Sequence, residues 1–140
     1  MEKYMSLKTA NLILLYTLTL ICNTAYSENA EDPVNLPPKQ FVGLMMENSC
    51  LMTFDKGNVA AGFSFLYGID PSKYLDFCEC QRSMISSSIS ESLAIKFKTG
   101  ALEIIKSKLP PSPQYLAAAK EVLSIDKQNV KTCVNKVKGQ

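Results

Sequence analysis

The chain has 140 residues, 15 Lys and Arg against 13 Asp and Glu, five cysteines, and neither histidine nor tryptophan. A formal charge of +2 with 46% hydrophobic residues fits one modest globular domain and excludes a highly charged disordered chain. The missing histidine removes the commonest acid–base side chain near neutral pH and a principal zinc ligand.

The chain opens with the features of an export signal. Lys3 and Lys8 supply positive charge, and an apolar run follows from Ala10 to Ile21. Ala25-Tyr26-Ser27 places small residues where a signal peptidase reads, so cleavage is expected near Ser27. The run falls short of the about 20 apolar residues a bilayer span needs. Ile21 stands before Cys22, where a lipoprotein signal would carry a small residue, so Cys22 is assigned to the discarded peptide. Residues 1–27 thus read as a signal peptide, and the mature protein is expected in the periplasm or secreted.

Residues 28–37 are acidic and proline-containing and read as a flexible leader. From Pro38, a first-turn residue, Phe41, Val42, Leu44, Met45, Leu51 and Met52 give a broad apolar helical face that also carries Cys50. Met45, Met46 and Met52 read as core filling rather than as an adaptable groove. Asp55-Lys56-Gly57-Asn58 signals a turn. Segment 58–68 mixes strand and helix signals around Gly62 and Gly68, and a short buried helix is expected because its neighbours read as helical.

Asp70-Pro71 marks a helix start. That helix carries Tyr74, Phe77, Cys78, Gln81, Met84 and Ile85 on related faces, and the run Ser86–Ser88 is expected to interrupt it. Ser88-Ile89-Ser90-Glu91 fits a capping box for the next helix. Leu93, Ala94, Phe97, Ala101, Ile104, Ile105 and Leu109 continue that helix, with a break or kink expected at Thr99-Gly100. Pro110 and Pro111 stop it, and Ser112-Pro113 starts a last helix. There Leu116, Ala119, Leu123, Val130, Cys133, Val134 and Val137 repeat mostly at three- and four-residue steps, interrupted by Asp126 and Asn129.

Four cysteines remain after cleavage: Cys50, Cys78, Cys80 and Cys133. An even number in an exported chain reads as two disulfides. A Cys78–Cys80 ring would be very tight, so the central Cys78-Glu79-Cys80 segment is expected to be tied to both Cys50 and Cys133. On a helix the two central cysteines point about 200° apart. Either Cys50–Cys78 with Cys80–Cys133, or Cys50–Cys80 with Cys78–Cys133, satisfies this. Residues 38–140 are therefore expected to form an all-α bundle of four to five helices stapled by two disulfides.

Charge is uneven along the chain. Nine lysines stand against three acids after residue 95, whereas residues 28–95 hold four basic residues and nine acids. Lysine without dense aromatic interleaving argues against a nucleic-acid site and leaves weak contact with anionic surfaces open. Tyr67, Tyr115, Lys120, Lys127 and Lys131 form a candidate interaction patch. No catalytic set, cofactor motif or zinc motif is recognisable. The serines of 86–90 read as caps and turns, and Asp76 with Glu79 as a solvated face.

The elements Gly62-Phe63, Tyr67-Gly68, Phe77-Cys78 and Cys133, behind a signal peptide, resemble in outline small periplasmic proteins that include some amidase-immunity proteins of type VI secretion systems. Cys80 departs from that pattern, and no functional residue is carried over. The expectation is a non-catalytic exported protein that binds another envelope or secreted protein, as an inhibitor, immunity protein or accessory subunit. The alternatives are a thiol-redox protein using Cys78 and Cys80, or a structural component of an envelope assembly.

Overall fold

A computed structural model describes residues 32–54 and 67–139. The expected signal peptide, the turn at 55–58 and nearly all of segment 58–68 lie outside the described residues. Within them the protein is all-α: α1 Pro38–Phe54, α2 Tyr74–Ser88, α3 Glu91–Ser107 and α4 Pro113–Lys138, with 3-10 turns at Pro33–Asn35 and Pro71–Lys73. No strand occurs among the described residues, and none of their helices is long and apolar enough to cross a membrane.

The helix starts follow local chemistry. Asp70 accepts from the Ser72 hydroxyl at 2.7 Å and the Ser72 amide at 2.8 Å, which holds its carboxyl below the usual range. This cap forms the 3-10 turn that feeds α2. Ser112 accepts from the Tyr115 amide ahead of α4, as expected for a Ser-Pro start. Two expectations change. α2 runs through Ser86, Ser87 and Ser88, whose Ser87 and Ser88 hydroxyls bond back to carbonyls of the preceding turn. Ser90, not Ser88, caps α3 by accepting from the Leu93 amide at 3.2 Å.

The break expected at Thr99-Gly100 is absent, and α3 is continuous to Ser107. Gly100 instead makes room for a neighbour: a Cβ there would lie 2.8 Å from Tyr115 Cβ. α3 ends where Lys108 turns left-handed at φ 54°, which leaves Leu109 outside the helix and exposed.

α1 packs on α2 and α3, and α4 closes the ring against the same two. At one end the core holds no cysteine and is built around Phe41, Val42, Ile85, Ile89, Phe97 and Val122. At the other end it is built around the four cysteines with Ile69, Phe77 and Val137. Met45 and Met46 are buried in the apolar half, in keeping with gap filling. α1 and α2 cross closely at Gly43, where a Cβ would overlap Ser86 Oγ and approach the Arg82 carbonyl to 2.9 Å.

Residues 32–37 fall in the expected flexible leader, and most of them are exposed, but they form a 3-10 turn with one buried anchor. Asp32 caps the 3-10 turn, and Leu36 is buried in the apolar core. Lys98 Nζ donates to the Leu36 carbonyl at 2.6 Å while lying 5.7 Å from the Phe41 ring centroid. The proline turn thus anchors Leu36 in the apolar core, alongside α1 and α3.

Candidate functional site

The central segment is a hub. Cys78 bonds Cys50 of α1, and Cys80 bonds Cys133 of α4, with Cα separations of 5.6 and 5.7 Å. Both spans suit a disulfide. Two residues of helix turn the second sulfur to the opposite side of α2, so one helix is fastened to both neighbours. All four cysteines are buried. The bridges close loops with sequence separations of 28 and 53, worth about 3–4 kcal/mol each in the chain-entropy account. They are compatible with an oxidising, exported location.

The candidate patch divides. Lys120, Lys127 and Lys131 are exposed on α4, and steps of seven and four residues align them in one row. Lys138 extends that row by another step of seven. The row lies about 140° around the helix from the buried row that contains Cys133. Tyr115 does not belong to this surface. It is 2% exposed, its ring centroid is 5.3 Å from that of Phe97, and it fills the gap left by Gly100. Its hydroxyl is buried without a hydrogen-bond partner among the described residues, and burial raises its pKa well above the ordinary phenol range. Tyr67 is half-buried and stacks on Phe77 at 5.6 Å.

The residues that interrupt the apolar stripe of α4 face inward. Tyr115, Ala119, Val122, Asp126, Asn129 and Cys133 follow one another at steps of three and four, so Asp126 and Asn129 sit in the buried row. Each finds a partner on α2. Gln81 Nε2 donates to both Asp126 carboxylate oxygens at 3.3 and 3.4 Å, and Asn129 Nδ2 donates to Ser88 Oγ at 3.2 Å. Among the described residues no Lys or Arg pairs with Asp126, and the ion pair they do contain is Arg82–Glu47 at 2.9 Å. Burial pushes the Asp126 carboxyl up from 3.8 to about 6.

Asp126 opens onto a cleft of about 230 Å³ between α1, α2 and α4. Met46, Thr53 and Phe54 of α1, Phe77 and Gln81 of α2, and Leu123 and Val130 of α4 line it together with Tyr67. The Phe54 and Phe77 rings meet edge to face at 6.3 Å. A second, more polar groove of about 410 Å³ runs over Cys80 between Asp76, Glu79 and Ser83 of α2 and Lys136 of α4.

The Asp126 cleft is the feature that sequence reasoning missed. Its signal was present: a carboxylate in the buried register of α4 and a glutamine on the inward face of α2 are both out of place unless they meet. No protein-family model, no curated protein and no solved structure matches the chain. The resemblance to type VI immunity proteins therefore rests on the residue pattern alone. No group of three or more His, Cys, Asp or Glu placed to hold a metal ion occurs among the described residues.

Proposed function

We propose that this is an exported, non-catalytic binding protein that docks an acidic partner protein in the cell envelope or among secreted proteins, as an inhibitor, immunity protein or accessory subunit would. The observation that carries the reading is the separation of roles around the hub. The cysteines are spent on holding α2 to α1 and α4, and the outer face of α4 presents Lys120, Lys127 and Lys131 in one row. A stapled scaffold loses little freedom when it binds, which leaves more of the contact energy as affinity. A row of like charge steers a partner of opposite charge and makes its association salt-sensitive.

The same geometry speaks against the thiol-redox alternative. Exchange needs a thiolate to reach a sulfur, and here each central cysteine is buried in a bridge to a different helix.

Capture from the envelope and secreted fractions of the producing cell, with the oxidised mature chain as bait, tests the proposal. The wild type is expected to retain an acidic protein at low salt and release it at high salt. A K120E/K127E/K131E variant with an unchanged circular dichroism spectrum is expected to lose it. Equal retention by both baits, or catalysis of insulin reduction by the wild type, would overturn the reading.

A further inference from the structure

The turn between α3 and α4, Lys108-Leu109-Pro110-Pro111-Ser112, is a surface that neither the hub nor the lysine row of α4 uses. Leu109 is 64% exposed, more than any other large hydrophobic residue among those described. Their rings fix Pro110, Pro111 and Pro113 at a φ of about −65°. A residue before proline is held extended, which constrains Leu109, Pro110 and Ser112. Ser112 has φ −68° and ψ 154°, and the described residues contain no cis peptide bond. These are the angles of a polyproline II helix. Both ends of the segment are fastened. At its start the Leu109 amide donates to Ser107 Oγ at 3.2 Å, and Lys108 holds a left-handed φ of 54°, which side-chain-bearing residues seldom keep outside functional or strained sites. At its end Ser112 Oγ accepts from the Tyr115 amide at 3.2 Å.

A polyproline II segment turns once in three residues, which puts Pro110 and Pro113 on one side. The burial pattern agrees: Leu109, Pro110 and Pro113 are exposed, whereas Pro111 and Ser112 are half-buried. The outward side presents two X-Pro dipeptides, Leu109-Pro110 and Ser112-Pro113, one turn apart. Aromatic-lined grooves read Pro-x-x-Pro segments of this kind. Lys106 and Lys108 are exposed beside it, and a groove of complementary charge carries carboxylates on its rim. From this juxtaposition of two exposed X-Pro dipeptides with two lysines, we infer that the α3–α4 turn docks into an aromatic-lined, acid-rimmed groove of a partner protein. The backbone already has the conformation such a groove takes, so docking orders little. The inference does not rest on the lysine row of α4.

Titration of the oxidised mature chain with purified SH3 and WW domains, followed by the chain's amide chemical shifts, tests this. At least one domain is expected to move the amides of Lys108, Leu109 and Ser112. P110A/P113A is expected to weaken that binding by at least about tenfold. L109A removes an exposed side chain outside the helices and is expected to weaken it as well. K106E/K108E is expected to slow association and flatten its salt dependence. The same spectra report whether each variant keeps the fold. Binding by none of the domains, shifts confined to other regions, or an affinity unchanged in both P110A/P113A and L109A would overturn the assignment.

Discussion

Cys78 and Cys80 stand one residue apart on α2 yet fasten it to two different helices, α1 through Cys50 and α4 through Cys133. The helical turn between them makes this possible, and it places the two bridges on opposite sides of one element. Removing either bridge should therefore release one neighbour while leaving the other held. C50A/C78A is expected to lose about 3–4 kcal/mol, and C80A/C133A about half a kcal/mol more because its loop is longer. Urea unfolding of the two double variants reads both values.

Asp126 makes stability depend on pH in an unusual direction for a carboxyl group. Its folded value is about 6 against 3.8 for the ordinary group. Between these values the folded chain binds the proton more tightly than the unfolded chain, so stability from this group rises as pH falls through that window. Above about pH 6 the full cost of the buried charge is present. D126N should thus be more stable than wild type at neutral pH by on the order of 2 kcal/mol. The difference should shrink as pH falls from about 6 towards 3.8. Thermal unfolding of the pair across this range checks it, and a D126N variant that is less stable at neutral pH would contradict it.

Gly43 and Gly100 are required by close packing rather than by backbone conformation. A Cβ at Gly43 meets the Arg82 carbonyl at 2.9 Å, and one at Gly100 meets Tyr115 Cβ at 2.8 Å. G43A and G100A should each lose about 1–3 kcal/mol through displacement of the crossing elements. G139A, whose nearest atoms lie at 3.5 Å or beyond, should be close to neutral. Denaturation midpoints for the three variants separate these cases.

Tyr115 separates packing from hydrogen bonding. Its ring fills the space against Phe97 and Gly100, but its hydroxyl is buried without a partner among the described residues. Y115F should be neutral or more stable by about 1 kcal/mol, since it removes an unsatisfied polar atom and little volume. Y115A should cost about 3–5 kcal/mol through the cavity it leaves. Equilibrium unfolding of both variants gives the comparison.

The helices were legible because their ends carry strong local chemistry. Asp70-Pro71 and Ser112-Pro113 cap where their residue types imply. The serine run misled because Ser88 and Ser90 offer the same cap, and the continuation of α2 through Ser88 leaves that role to Ser90. The hub was legible as a two-sided staple. The choice between two pairings was not, because helical geometry separates Cys78 from Cys80 without saying which side of α2 each neighbour occupies. Tyr115 was misplaced on the surface although it lies in register with Val122 and Cys133. Its burial depends on Gly100 of another helix, a contact that periodicity within α4 does not contain. Asp126 escaped notice for the related reason that its partner, Gln81, lies 45 residues away.

The central claim is the stapled hub, and disulfide mapping of the exported, unreduced protein tests it most directly. Glu79 is exposed and lies between the two hub cysteines, so a protease that cuts after glutamate separates them once the alkylated chain is denatured. The hub predicts a single peptide, residues 48–79, closed internally by Cys50–Cys78, a peptide pair, 80–91 with 122–140, joined through Cys80–Cys133, and no free thiol at these four positions. Cys50–Cys80 with Cys78–Cys133, or labelled thiols at Cys78 and Cys80, would contradict it.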